Sequence, residues 1–400
     1  MCPVAVQATA AIAALRLTLG DIVRAHGDAY RRTHRLATVQ RLALGAIAAC
    51  RTALLGGRRE TCDQCGATRL TFNSCRNRHC PTCQARASAR WIEARRADLL
   101  PIPYFHVVFT LPHALNAIAQ GNPRVIYTLL FRAAADTLLT FGRDPRHLGG
   151  TIGVTAILHT WGQTLTQHLH VHCLVTGGAL SRDRARWIPG QASFLFPVNA
   201  LSIVFRAKYL AGLQRAFTDG ALTFAGGTAP LADAGRVAAL VTQLRTTPWV
   251  VYAKRPFGGP AQVLQYLGRY THRIAISNAR LLRLVDGVVH FQWKDYADRG
   301  HTKIMALDVD EFLRRFLLHV LPHGFVRIRH FGLLANRQRR SLIARAQTLL
   351  DVPPAAPAAS DARATAVDPA PCPFCHQGHW HVEILAPCAR LSVPIGSDTS

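Results

Sequence analysis

Lysine is nearly missing from this chain: Lys208, Lys254, Lys294 and Lys303 are the only ones in 400 residues. Carboxylates are scarce as well, 22 Asp+Glu against 47 Lys+Arg, so arginine dominates and the formal net charge is +25. A guanidinium binds phosphate in a bidentate fork and stacks on bases, so this imbalance points to a polyanion, nucleic acid first. A codon bias towards arginine would account for the choice of cation but not for the deficit of acids. No apolar run approaches the ~18 residues of a membrane span, and no leader with a basic start and a cleavage site is visible. These absences argue against a membrane role and predict a cytoplasmic protein. There the eleven cysteines stay reduced, so clustered ones read as metal ligands rather than disulfides.

With 49% apolar residues the chain can build two or three packed domains. Apolar positions at helical spacing (Ile22, Val23, then Leu36, Val39, Leu42, Leu44) predict two helices before residue 55. Further helices are expected up to about Leu100, over 123–140, 198–217, 231–245 and 310–320, and from Pro260 onward. Strands are expected at Tyr104–Thr110, 151–159, 167–176, 249–253, 281–285 and 288–293, the last two flanking an Asp286-Gly287 turn. The stretch 352–371 is mostly Pro, Ala, Ser and Asp and reads as a linker. Four consecutive segments follow: a helical, cysteine-bearing one over 1–100, a strand-rich one over 101–300, a basic helical one over 301–351, and the linker with a tail over 352–400.

Cys62-Asp-Gln-Cys65 and Cys80-Pro-Thr-Cys83 form two CxxC knuckles with fourteen residues between them. Four thiolates so spaced suit a tetrahedral structural zinc ion, with Cys75 and His79 as alternates. Gly66 supplies the permissive backbone that the turn after the first knuckle needs. Arg76, Arg78, Arg86 and Arg90 surround this module and suggest contact with DNA. A second set near the C-terminus, Cys372-Pro-Phe-Cys375 with His376, His379, His381 and Cys388, is a weaker candidate for a small zinc knuckle.

The sharpest chemistry lies in Gln167-His-Leu-His-Val-His-Cys-Leu-Val175. On a strand, His168, His170 and His172 share one face, and Leu169, Val171 and Cys173 share the other. Two imidazoles ~6–7 Å apart along a strand can grip one metal ion, so His170 and His172 are the expected pair and His168 a third candidate. Downstream, Tyr266 and Tyr270 stand four apart in a predicted helix and so lie on one face of it. Packing usually explains such a pair. Here Lys254, Arg255, Arg269, His272 and Arg273 crowd the same segment, which would hold a phosphate near the phenols.

Taken together, the chain resembles the rolling-circle insertion-sequence transposases of the HUH endonuclease superfamily, the insertion-sequence ninety-one type with an N-terminal zinc-binding domain. The match is carried by Ser74-Cys-Arg-Asn-Arg-His-Cys-Pro-Thr-Cys83, Pro103–Pro112, His159-Thr-Trp-Gly-Gln163, His168–Val175 and Gln265–Asn278, in collinear order. Leu169 departs from the pattern, which has proline before the histidine pair. The resemblance implies an α+β fold, an antiparallel-sheet endonuclease domain preceded by a helical zinc-binding domain, with the histidine strand central. It implies magnesium or manganese on His170 and His172, although imidazoles alone suit zinc, copper or nickel. It also implies Tyr266 and Tyr270 as nucleophiles that nick single-stranded transposon ends and join them to a target through a 5′-phosphotyrosine, without a nucleotide cofactor. A bacterial, nucleoid-associated protein is implied, with its oligomeric state open. Two other readings share these residues: a rolling-circle replication initiator or relaxase, and a non-catalytic zinc-dependent DNA-binding regulator.

Overall fold

The computed structural model describes residues 16–96, 98–191, 193, 195–254, 262–263, 268, 275–352 and 371–388. Two compact units emerge, and neither is a continuous stretch of chain. One comprises Met1–Ala87, Ile276–Val320 and Ala355–Thr399; the other comprises Ser88–Ala275 and Leu321–Pro354. This division differs from the four consecutive segments expected from sequence.

The first unit opens with two helices, α1 (Leu19–Thr33) and α2 (Thr38–Ala49). Thr18 starts α1 with a capping box: its hydroxyl accepts from the Asp21 amide, and the Asp21 carboxylate accepts from the Thr18 amide. Leu19, Ile22, Val23 and Tyr30 form the buried stripe. A hairpin follows, β1 (Gly57–Cys62) and β2 (Thr68–Phe72), and then α3 (Pro81–Arg96), with proline in its first turn. The unit boundary falls within α3. A second small sheet joins β10 (Leu281–Val285), β11 (Val288–Asp295) and β12 (His301–Asp308), all antiparallel. Asp286 and Gly287 both take positive φ, +50° and +75°, which lets two residues reverse the chain between β10 and β11. A helix, Val309–Leu317, leaves β12 with the Asp308 side chain capping it. On the far side of β1 lies β14 (Trp380–Leu385), so the sheet order is β14-β1-β2.

In the second unit a five-stranded antiparallel sheet is ordered β13-β5-β6-β3-β9. Its strands are β3 (Tyr104–Thr110), β5 (Gly153–Trp161), β6 (Gln167–Thr176), β9 (Val251–Lys254) and β13 (Ile328–Gly332). The short strands β4 (Gly150–Thr151), β7 (Gly178–Ser181) and β8 (Trp187–Pro189) form a separate sheet. One face of the large sheet, through Phe105, Val107, Phe109, Leu169, Val171 and Cys173, packs on helices Pro123–Arg143 and Val198–Thr218. The first of these helices is long and apolar enough to cross a membrane by composition, which the sequence reading did not anticipate. Its apolar length is spent inside the protein: 61% of that stretch is buried, with Leu130, Phe131 and Leu138 fully enclosed. The other face of the sheet meets Leu333, Leu334, Leu342 and Ile343 at one end and leaves histidines at the other.

The α+β class and the central place of the histidine strand agree with expectation. The helical reading of 301–351 captured Val309–Leu317 and Arg339–Leu349 but missed β12 and β13, whose mixed, half-exposed residues carry no clean alternation. The helix expected from Pro260 is described only at Gln262, Val263 and Gly268, which are helical.

The two faces of β6 predict opposite responses to truncation. Leu169→Ala removes a fully buried side chain and should cost about 2–5 kcal/mol. His168→Ala, on the half-exposed face, should cost less than about 1 kcal/mol. Urea denaturation of both variants checks this.

Candidate metal and nucleic-acid site

Strand register assembles the histidines. His170 lies directly opposite His159 on β5, and His172 lies opposite Ile157 on one side and Val108 of β3 on the other. Opposed residues share a face. His159, His170 and His172 therefore converge, with their candidate ligand nitrogens within 4.8 Å of one another. Ring centroids are 4.4 Å apart for His159–His172 and 4.8 Å for His170–His172. The third member of the group is His159, not His168. His168 sits one step further along the strand, with its ring 4.8 Å from His170 and 5.6 Å from His113. The signal for His159 was present in the His159–Gln163 motif, but its position opposite His170 depends on register, which a single strand does not disclose.

Burial, more than any neighbour, holds the His170 and His172 rings neutral. It pushes the His170 pKa down to about 3, helped by the nearby His168 ring, and His172 is lowered in the same way, with His159 next in effect. Neutral imidazoles are what a metal ion requires. His170 Nδ1 lies 2.8 Å from the His168 carbonyl oxygen, which only accepts, so the proton sits on Nδ1 and Nε2 keeps its lone pair. His106 of β3 stands behind His172, its Nε2 2.8 Å from His172 Nδ1 and the rings stacked 5.0 Å apart. Such a partner fixes the orientation of a ligating ring. No carboxylate joins the group among the described residues.

On the same face, β9 places Tyr252 opposite Val108 and Lys254 opposite His106. Lys254 is exposed and available to a phosphate. Tyr266, Tyr270, Arg255, Arg269, His272 and Arg273 lie outside the described residues. Between the two tyrosines, Gly268 is anchored to α3: Ser88 Oγ donates to its carbonyl at 2.9 Å.

The cysteines sort differently from the sequence expectation. Cys62, Cys65, Cys80 and Cys83 are not brought together as one tetrad. Cys80 and Cys83 group with Cys50 and Cys75, and Cys62 and Cys65 group with Cys372 and Cys375. The physical reason is the hairpin: β1 and β2 carry the first knuckle to their own tip, away from the start of α3 where the second knuckle lies. In the first group Cys50 ends α2, and its Sγ is 3.6 Å from Cys83 Sγ, as is Cys75 Sγ. A tetrahedral zinc with ~2.3 Å bonds sets sulfurs about 3.8 Å apart, whereas disulfides need ~2.05 Å, so the spacing in this first group fits a zinc-binding cage and not a disulfide. Of the two alternates, Cys75 joins the group and His79 does not. Cys50, a solitary cysteine in a helical context, offered no spacing to read. His376, His379, His381 and Cys388 join neither group.

Arg76 and Arg90 are exposed and Arg78 is half-buried beside the first cage; Arg86 lies on α3, its side chain outside the described residues. Arg76 takes a left-handed backbone, φ +53°, directly after Cys75.

Comparison with known proteins agrees with this architecture. Residues 22–111 match the family described as "Transposase zinc-binding domain", and residues 153–341 match the one described as "Putative transposase". The chain is 50% identical over 370 residues to "Putative transposase y4qJ" of Sinorhizobium fredii, covering 90% of this chain and 93% of that one. It is 30% identical over 296 residues to "Transposase for insertion sequence element IS801" of Pseudomonas savastanoi pv. phaseolicola, covering 72% of this chain and 68% of that one. No solved structure shows a significant match. The matched families and relatives define the class, transposases, DNA-acting enzymes of mobile elements. The chain belongs to the insertion-sequence ninety-one (IS91) family of transposases, with an N-terminal zinc-binding domain.

Structural zinc follows from that domain and its cage of Cys50, Cys75, Cys80 and Cys83. Cys50→Ser or Cys75→Ser should each release close to one zinc per chain and destabilise the first unit, because structural zinc supplies folding energy directly. His79→Ala should keep its zinc. Atomic absorption on the purified full-length chain separates the two outcomes.

Proposed function

We propose that this transposase nicks and rejoins single-stranded DNA through a 5′-phosphotyrosine, with a divalent ion on His159, His170 and His172. The observation that carries this reading is the convergence of three imidazoles on one face of the central sheet, His159 and His170 buried and His172 partly so, with desolvation keeping His170 and His172 neutral. Such a group is costly to leave without a partner. When bound, the ion acts as a Lewis acid on the scissile phosphate. Three neutral nitrogens and an otherwise oxygen shell suit manganese better than magnesium, which prefers oxygen throughout.

The chain's own residues do the rest. Tyr266 and Tyr270 are the nucleophiles assigned by sequence pattern, with Tyr266 striking first. The phenol oxygen attacks phosphorus in line, the bond to the 3′ oxygen breaks, and that oxygen leaves as a hydroxyl. The new phosphotyrosyl bond conserves the energy of the phosphodiester, so no nucleotide is consumed. The second tyrosine or a 3′-hydroxyl then attacks the link and completes strand transfer. Lys254, with Arg255, Arg269 and Arg273, holds the backbone of the single strand, and Arg76, Arg78, Arg86 and Arg90 add affinity along the duplex. His106 keeps the His172 ring in place. The work is done in the cytoplasm, at the nucleoid.

Denaturing electrophoresis of the chain with a single-stranded end oligonucleotide and manganese tests the proposal. Wild type should form a covalent adduct, faster with manganese than with magnesium. His159→Ala, His170→Ala and His172→Ala should each abolish it while leaving DNA binding near wild type. His106→Ala should slow it about 10–100-fold, and His168→Ala should do little. Tyr266→Phe with Tyr270→Phe should form none. A full adduct rate in His159→Ala would remove it from the site, and an adduct mapped to Tyr252 would overturn the choice of nucleophile.

A further inference from the structure

The C-terminal segment 371–388 falls outside both family matches, which end at residues 111 and 341. Nothing in the transposase reading uses it. It nevertheless packs on the first unit in detail. β14 pairs with β1 over six residues, from Gly57 opposite Leu385 to Cys62 opposite Trp380. Arg59 pairs with Glu383 at 3.1 Å, and the Arg69 guanidinium lies 5.2 Å over the Trp380 ring. At the end of this ladder two CxxC knuckles face each other. Cys62 Sγ is 3.7 Å from Cys375 Sγ, and Cys65 Sγ is 3.8 Å from Cys372 Sγ, with all four sulfurs within 4.8 Å.

We propose that Cys62, Cys65, Cys372 and Cys375 form a second structural zinc site, which clamps the C-terminal segment onto the N-terminal hairpin. Sulfur spacing of about 3.8 Å is that of a tetrahedral zinc thiolate and is far beyond disulfide length. Both knuckles have the backbone that metal loops use. Gly66, directly after Cys65, has φ +69°, and the Gly378 amide donates to Cys375 Sγ at 3.4 Å. Amide donation to a thiolate stabilises its charge.

Two glycines show that the approach is built in. A Cβ at Gly378 would collide with Cys62 Sγ and fall 2.7 Å from Asp63 Oδ1. A Cβ at Gly56 would lie 2.5 Å from the Leu385 carbonyl and 2.9 Å from Pro387 N. Around the site, Asp63 Oδ1 accepts from the His379 amide at 2.8 Å, and the His379 carbonyl accepts from the Asp63 amide at 3.1 Å. The two knuckles are thus tied by backbone as well as by sulfur, 313 residues apart in sequence.

Zinc content of the full-length chain tests the proposal independently of DNA chemistry. In a His170→Ala/His172→Ala background, which removes the imidazole group, the parent chain should hold two zinc ions. Cys372→Ser with Cys375→Ser should hold one, and Cys50→Ser with Cys75→Ser should also hold one. In the cobalt-substituted chain, each double variant should halve the thiolate-to-cobalt absorption. Cys375→His, which keeps a zinc-type ligand, should retain two ions while shifting the cobalt spectrum of one site. A single zinc in that parent chain, two zincs once Cys372 and Cys375 are also replaced, or an unshifted cobalt spectrum in Cys375→His would each overturn the second site. Loss of the histidine-dependent adduct, by contrast, would bear only on catalysis.

Discussion

Everything at the candidate catalytic centre depends on the two-residue alternation of β6. Leu169, Val171 and Cys173 are driven into the core by the hydrophobic effect, and that commitment fixes His168, His170 and His172 on the opposite face. A slip of one residue would bury imidazoles in the apolar layer and expose the leucine and valine. The same commitment holds for Leu158 on β5, which turns His159 towards His170. The imidazole group is therefore set by core packing on three adjacent strands. Leu169, where the family pattern has proline, serves this end, since it is wholly buried and its carbonyl accepts from the Leu111 amide at 2.9 Å.

What could be read from sequence follows from the range of the interactions involved. Helices Leu19–Thr33, Pro123–Arg143 and Val198–Thr218 were legible because helical spacing of apolar residues is a local signal. The strand at Tyr104–Thr110 and the histidine strand were legible from β-branched and alternating residues. His159 as a metal candidate was not, because a neighbour on another strand is set by register. The cysteine spacing misled for the same reason. Two knuckles fourteen residues apart fit one tetrahedron on paper, and only the length and direction of the β1–β2 hairpin send them to different partners. Cys50 and Cys372 are joined to their groups by tertiary structure alone.

Charge and metal divide the labour of binding. With +25 overall and few acids, the protein needs no special groove to attract DNA, and affinity can come from arginines scattered over both units. Precision must come from elsewhere, from buried groups whose positions are fixed by packing. The clustered imidazoles and cysteines are groups of that kind, placed by strand register and by the β1–β2 hairpin.

The pairing of β1 with β14 has a consequence for how the molecule is made. During synthesis the β1–β2 hairpin leaves the ribosome more than 300 residues before its third strand exists. For that interval β1 has an open edge, and an open edge invites pairing with another chain. Arg58 and Arg69 share Glu60 within the hairpin, whereas Arg59 lacks its partner Glu383 until β14 is made, so its positive charge marks the open edge and discourages stacking between nascent copies. A copy of the gene cut short upstream of Trp380 would leave that edge permanently open and present itself to proteases as unfinished. The closing strand thus couples the end of synthesis to the sealing of an edge made near its start.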